Sequence, residues 1–477
     1  MRKKLVVFSF IFLVLNICVA QQNWIIVDAK SDFPEEKIKE VIPIVNEEEN
    51  NLALFFKTKK GLEAYLYNDK QELVNHISID KLPSKSDVVI GNAYHGMNYQ
   101  IFFSNNSESQ FSVVSLNFKT GEYQITEDLG LEIKGEKFIK YVNHQNTLYL
   151  LTLEHLSSVL KLYTFKMDGS VKTSRFDLSN EIFVNDNGLE YDLSTLLYNN
   201  NVSNNEFMYV QSGVPTSLEV ASSITKAYYQ NNHLIITNNL YDKFTYNIDI
   251  DITNDSYSLS KIENTHFVKE RNSAISNSFV IDSFILNTYA HSDNVFLDIY
   301  KNGGSELLKT FVINKDEEIT FKNSPIIIQN GNPNNLRETE KTSKFIKNVS
   351  RSLIGVSAYK INDSFILTLG SVSPKSDGGF IFVGAVIGGL VGAAIFAAFY
   401  SYSQTQSTRI NCLFDENFNH VSGDILLNGF DKINHFIINN KLKYLKHQTV
   451  FKFKDQYIWG SYNKTAGFYR LYSFNLN

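Results

Sequence analysis

The chain has 477 residues, of which 43% are apolar, 20% charged and 13% aromatic. That balance excludes a disordered, collagen-like or disulfide-stapled chain and leaves ample apolar material for a core. The net charge of −5, with its signs interspersed, leaves no electrostatic footprint for nucleic acid.

At the start of the chain, Arg2-Lys3-Lys4, the apolar run Leu5–Leu15 and the small-residue end Cys18-Val19-Ala20 read as a secretory signal over 1–20, cleaved before Gln21. The apolar run is too short to span a bilayer. Leu15-Asn16-Ile17-Cys18 also resembles a lipoprotein signal, but Ile17 is bulky and β-branched where that signal takes a small residue. Loss of Arg2, Lys3 and Lys4 leaves 42 basic against 50 acidic residues, a net of −8. Cys412 is then the one cysteine, so no intrachain disulfide is expected and stability must come from packing. Cys412 itself reads as a small apolar core residue.

From Trp24 onward, short apolar-alternating runs are broken by Asn, Asp, Ser and Gly. With only seven prolines and many Tyr, Phe, Ile and Val, the runs predict strands. One run recurs seven times: Leu52–Phe56, Tyr99–Phe103, Leu148–Thr152, His233–Thr237, Ser283–Asn287, Ser364–Thr368 and Gln456–Gly460. Two copies share the pentapeptide Asp-Ser-Phe-Ile-Leu, at 282–286 and 363–367. From the fourth residue of each copy to that of the next, the spacings are 47, 49, 85, 50, 81 and 92. Three intervals sit near 49, and three fit the same unit carrying an insertion. Each copy is preceded by another apolar stretch, such as Lys137–Val142. Each is followed by a third, such as Leu162–Phe165, then by a turn and a fourth strand, such as Val171–Leu178. The turns Asn68–Gln71, Lys119–Glu122, Lys166–Gly169 and Asn302–Gly304 hold the same place and have hairpin chemistry.

Seven units of four antiparallel strands resemble a β-propeller, and the resemblance covers nearly the whole of 21–477 as one domain. It implies an all-β, seven-bladed fold. The last copy lacks a fourth strand, because only Asn475-Leu476-Asn477 follow Phe468–Phe474. Trp24–Asp28 is the spare strand that completes the final blade and leaves no lone edge. A pair of stacked β-sandwich domains is the competing architecture. Named propeller families do not fit. Trp24 and Trp459 are too few for tryptophan-docked or Trp-Asp repeats, kelch Gly-Gly pairs are not periodic, and Met167–Ser170 lacks the Thr-Trp ending of the sialidase Asp-box.

Three insertions are expected to emerge on one face of the disc, which makes that face the candidate working surface. The first is the link Ser179–Thr225 and the second is the link Asn314–Gly355. In the second, Phe345, Ile346, Val349 and Leu353 fall at helical spacing after Asn334-Asn335 as caps, predicting a short amphipathic helix packed on the disc. The third, 377–407, interrupts the sixth blade. Its stretch Phe380–Tyr400 reads FIFVGAVIGGLVGAAIFAAFY, 21 residues without a charge. As one helix it would be about 31 Å long, enough to cross a bilayer core. Gly384, Gly388 and Gly392 form a ridge on which helices, including those of a second copy, can approach closely in lipid. A single crossing would place the rest of the sixth blade across the membrane from its own first two strands. A hairpin broken at Gly388-Gly389, dipping into lipid or docking on a partner, resolves that conflict. A true span and an apolar plug buried against the disc are the alternatives. The candidate membrane or partner contacts are Phe380, Phe382, Gly384, Gly388, Gly389, Gly392, Phe396, Phe399 and Tyr400. Residues 401–477 carry nine basic and five acidic side chains, as a cytoplasmic tail would if the span were real.

No metal-ligand pair occurs among the ten histidines, and there is no nucleophile elbow or phosphate loop. Asp249-Ile250-Asp251 near Asn254-Asp255 lacks calcium-loop spacing and reads as a solvated strand end. No cofactor is expected. The reading is a secreted, membrane-associated, non-catalytic binding scaffold of the cell envelope. Its alternatives are a propeller hydrolase or lyase acting on glycans or other envelope polymers, with residues converging on the central channel, and a single-span protein with an extracytoplasmic β-domain.

Overall fold

Strand after strand folds back on the one before it, because the runs are rich in β-branched and aromatic residues and end in turn residues. The computed structural model describes residues 23–27, 38–198, 207–268, 275–304, 306–373, 394–463 and 467–475. After β1 (Asn23–Val27), the first sheet is β2 (Ile38–Asn46), β3 (Asn51–Thr58), β4 (Leu62–Tyr67) and β5 (Leu73–Ile79). The second is β6 (Val88–His95), β7 (Asn98–Ser104), β8 (Phe111–Asn117) and β9 (Tyr123–Thr126). The third is β10 (Glu136–His144), β11 (Thr147–Glu154), β12 (Val159–Phe165) and β13 (Val171–Asp177). A small hairpin, β14 (Phe183–Val184) with β15 (Glu190–Tyr191), and the helix α1 (Leu193–Leu197) follow.

The fourth sheet is β16 (Phe207–Val210), β17 (Thr225–Gln230), β18 (His233–Asn238), β19 (Phe244–Asp251) and β20 (Ser256–Glu263), with helix α2 (Leu218–Ala221) between its first two strands. The fifth is β21 (Ile275–Ile281), β22 (Phe284–Ala290), β23 (Asn294–Lys301) and β24 (Glu306–Asn314). The sixth holds β25 (Ile326–Asn330), β26 (Leu336–Thr339), β27 (Leu353–Ile361), β28 (Ser364–Val372) and β29 (Gln406–Asp415), interrupted by α3 (Thr342–Val349) and α4 (Ala394–Ser403). After α5 (Gly429–Asn439) come β30 (Lys446–Phe453), β31 (Gln456–Asn463) and β32 (Phe468–Asn475).

These sheets of four or five strands, stacked around an axis, make the protein an all-β propeller. The copies of the recurring run lie in β3, β7, β11, β18, β22, β28 and β31, each second from the inner edge of its sheet except β18, which β16 makes third. Those strands read as unbroken apolar runs because both faces are covered by neighbouring sheets, as in β7, buried from Tyr99 to Ser104. Outer strands alternate instead, as in β5, where Leu73 and Val74 face solvent and Ile77 and Ile79 are buried. First and second strands are joined by tight turns. Gln145-Asn146 and Asn231-Asn232 hold positive φ at both positions, the geometry that matches strand twist.

The ring closes where the last copy runs out of chain. β1 pairs antiparallel with β32, Ile25 opposite Leu471 and Val27 opposite Tyr469, and becomes the outer strand of the last sheet. The Trp24 ring lies 5.0 Å from Phe453 and 6.2 Å from Phe451. The same core cluster includes Leu54, Phe56 and Tyr65 of the first sheet, so it seals first to last.

Two sheets depart from the four-strand unit. In the sixth, the outer strand is not supplied after β29. β25, from the preceding link, pairs antiparallel with β29 (Ile328 opposite Thr408), and β26 extends the edge. The helix expected in that link is present as α3 and buries Phe345, Ile346 and Val349. Its boundaries differ from expectation. Lys341 stands at the N-cap, Asn334-Asn335 lie in the turn before β26, and Leu353 opens β27 because the ladder with β28 claims it. In the fourth sheet, β16 adds a parallel strand on the inner side of β17.

Candidate functional site

The apolar insertion is rooted in the sixth sheet. β28 and β29 stay paired from Ser364 opposite Asp415 to Val372 opposite Ser407, and Ser373 N donates to Gln406 O at 3.0 Å. The chain therefore leaves and re-enters the disc at one point. Of the nine candidate contacts, Phe380, Phe382, Gly384, Gly388, Gly389 and Gly392 lie outside the described residues. Phe396, Phe399 and Tyr400 fall in α4.

Those three part ways. Phe399 is buried, its ring 5.5 Å from Phe430 of α5, so it is a core residue of the disc rather than a membrane contact. Phe396 is half-buried, 6.4 Å from Phe399, and Tyr400 is exposed. The apolar stretch is thus part plug at its C-terminal end, because α4 packs on α5 and on the last sheet. No described helix is long and apolar enough to cross a membrane.

Helix α5 starts where the Asn428 side chain accepts from Asp431 N and the Asp431 carboxylate accepts from Asn428 N. Phe430, Ile433 and Phe436 pack on the last sheet, with Phe436 6.0 Å from Trp459. Gly429 permits the approach, since a Cβ there would stand 2.1 Å from the Tyr457 ring. The polar side of α5 faces α4: Tyr402 donates to Asp431 at 3.0 Å, and Ser403 Oγ lies 2.9 Å from Asn434 Oδ1. Burial pushes the Asp431 carboxyl up and the Tyr402 hydroxyl well up. Arg409 sits beside them, donates to Ser407 Oγ at 2.8 Å, and lines cavities of about 360 and 350 Å³ on either side.

The first insertion does not stay on the face. From β16, on the inner edge of the fourth sheet, residues 211–221 cross the axis. Lys452 of the last sheet donates to Gly213 O, and Val214 joins the core cluster of Trp459. Ser217 Oγ meets Ser401 Oγ of the third insertion at 2.6 Å, and Gln406 N donates to Glu219 Oε1 at 3.1 Å. Helix α2 then lies on the sixth sheet at Gly355, where an added Cβ would stand 3.0 Å from Ser222 N. Gly355→Val is expected to cost about 1–3 kcal/mol by overpacking, measured by urea unfolding. The second insertion joins the same cluster, since Gln329 Nε2 donates to Ser403 O at 3.1 Å. All three insertions meet one another, but as a bar across the channel as well as a surface.

This bar changes the channel's chemistry. Lys226 is fully buried beneath it, donating to Asn277 Oδ1 at 2.6 Å and to Ser223 O. On the other side, a cavity of about 590 Å³ opens toward the hairpins that join first and second strands. Asp249 pairs with His233 at 2.7 Å and Asp251 accepts from turn amides, as a solvated strand end should. Among the described residues no group of three His, Cys, Asp or Glu is placed to hold a metal. Cys412 is fully buried, and burial pushes its thiol up, which makes it inert. Sequence reasoning missed the bar, Lys226 and Arg409. The one local signal was a lysine in the strand run Thr225–Tyr229, at Lys226.

No protein-family model and no curated protein matches this chain. Among solved structures the chain is similar to the Dos1 propeller, at 10% identity over 96% of each chain with a TM-score of 0.34. It is similar to an uncharacterised protein from Listeria monocytogenes, at 9% identity over 96% of this chain and 97% of that one, TM-score 0.27. It is also similar to an apocarotenoid oxygenase from Synechocystis, at 6% identity over 57% of this chain, TM-score 0.27. The match spans 61% of that oxygenase's length. Likenesses this distant carry no functional argument, and the fold rests on the sheets themselves.

Proposed function

We propose that this β-propeller is a non-catalytic scaffold of the cell envelope, exported through residues 1–20, that holds a membrane or a membrane protein through the apolar segment 380–400. The observation that carries the reading is the paired root of that segment. β28 and β29 are in register on its two sides, so the segment starts from and returns to one sheet. A single crossing would separate those two strands, so a hairpin that dips and returns fits better. Phe396 and Tyr400 lie on the part of α4 left open beside that root. The scaffold reading, rather than a glycan-cleaving one, draws support from a channel crossed by the bar, where Asp282 is the one carboxylate among the described residues that line the cavity beside His144 and Lys360.

Replacing 374–393 with a six-residue Gly-Ser linker tests this, because it spares the root and α4. The variant is expected to unfold cooperatively, within about 0.5 kcal/mol of the parent. Flotation with envelope-lipid vesicles or native membranes should fall at least tenfold. A parent that stays in the soluble fraction with both, or a variant that floats equally well, would sink the proposal.

A further inference from the structure

The cavity on the hairpin face stands apart from the insertion root, on the far side of the bar. Inner-strand hairpins of the third to sixth sheets wall it on one side, and Val210–Thr216 of the bar walls it on the other. Its size, about 590 Å³, falls in the range of small-molecule sites, roughly 300–1,000 Å³.

Its lining has a definite chemistry. Tyr228 and Phe279 are buried apolar surface, and Tyr359 is half-buried beside them. Carboxamides surround these rings: Gln145, Gln211, Gln230 and Asn231. A carboxamide donates and accepts at once, as a hydroxyl does, so four of them suit a ligand dense in hydroxyls. The rings suit a ligand that also has a flat C–H face.

Charge narrows the class further. Asp282 and Lys360 line the cavity with opposite signs, and Lys360 also pairs with Glu416 at 3.1 Å. His144 stacks on Tyr229 with centroids 4.1 Å apart, its Nδ1 3.5 Å from the Tyr209 hydroxyl. Burial pushes that imidazole down to about 4, so it is neutral at physiological pH. An ionic ligand would leave water without a compensating charge.

We propose that the axial cavity binds a neutral saccharide unit. Recognition comes from the carboxamides, and the aromatic floor takes the sugar's apolar face. The site is independent of the apolar segment, since the two lie on opposite sides of the bar.

The test is calorimetric titration of the full chain with cellobiose, maltose, lactose and chitobiose, with digalacturonic acid and a neutral tripeptide alongside. At least one neutral disaccharide is expected to bind with a Kd of millimolar or tighter, level from pH 6 to 8. Gln211→Ala with Gln230→Ala should weaken it at least tenfold at an unchanged melting temperature. Ser283→Tyr, built from the exposed rim, should do the same by filling the cavity. The 374–393 replacement should leave binding unchanged, so failure of this site and failure of the scaffold reading are told apart. Binding of none of the four neutral sugars overturns the proposal, as does preference for the acid or the peptide. Full affinity in both cavity variants overturns it too.

Discussion

Trp24→Ala is expected to destabilise the protein by about 3–5 kcal/mol, the range for emptying a buried tryptophan site. Trp24 is 8% exposed and sits on β1, the strand that covers the outer edge of β32. Its ring packs on Phe451 and Phe453, in a cluster that includes Leu54 and Phe56 of the first sheet. Gln71, from the first sheet's outer turn, lies against the indole as well. With its amide oxygen toward the ring, it accepts from Trp24 Nε1 at 2.9 Å and donates to Trp24 O at 3.1 Å. One side chain therefore ties the last sheet to the first. Urea unfolding should show a lower midpoint with a single transition. Ile26→Ala on the same strand, 50% exposed, should change stability by no more than about 0.5 kcal/mol. A loss below about 1 kcal/mol for Trp24→Ala would mean that contacts between β2 and β30 alone hold the ring closed.

Lys226 is expected to make stability rise with pH above neutrality. Burial pushes its ammonium from 10.5 down to about 7, and no carboxylate opposes that shift. Between about pH 7 and 10.5 the unfolded chain holds a proton on Lys226 that the folded chain has lost. Raising the pH through that window therefore favours the folded state, by roughly tenfold in the folding equilibrium per pH unit. Below pH 7 both states are protonated and the cost of burying the charge is fully felt. Glu40, Glu108 and Asp242 titrate in another window. Burial raises each to about 7, so their contribution is lost as pH climbs from their ordinary range to 7 and is level above it. Lys226→Met should flatten the slope above pH 7 and be more stable than the parent at pH 6. Asn277 Oδ1 keeps the Ser278 amide as a donor at 2.7 Å, so the substitution orphans no acceptor there. Equal slopes in parent and variant, from urea midpoints at pH 6 to 10, would show that Lys226 stays charged in the fold.

Much of the propeller is legible in the sequence because second strands are buried on both faces and so keep one apolar signature from Leu52 to Gly460. The closing strand is legible too, since the last copy lacks a partner and Trp24–Val27 has none nearby. What stays hidden is pairing that breaks chain order. Ile326–Asn330 looks like part of a link, and nothing local says that it will lie beside Gln406–Arg409. Phe207–Val210 is a four-residue strand whose parallel partner is decided by the inner edge of the fourth sheet. At Leu353 a helical spacing competes with a nine-residue ladder, and the ladder prevails because tertiary pairing overrides a local period. The apolar contacts divide for a similar reason. Composition marks 380–400 as one segment, yet burial assigns Phe399 to the core and leaves Tyr400 at the surface.

The pairing of β1 with β32 also sets a clock. Asn23 meets Tyr472, so the chain's first described strand has no partner until its last has been made. At a synthesis rate of ~5–20 residues per second, that delay is roughly 20–90 s. Throughout it, β1 has no ladder to join and the side of the first sheet that packs on the last one is uncovered. A protein built this way gains from being kept apart from its siblings until β32 arrives and gives β1 its partner.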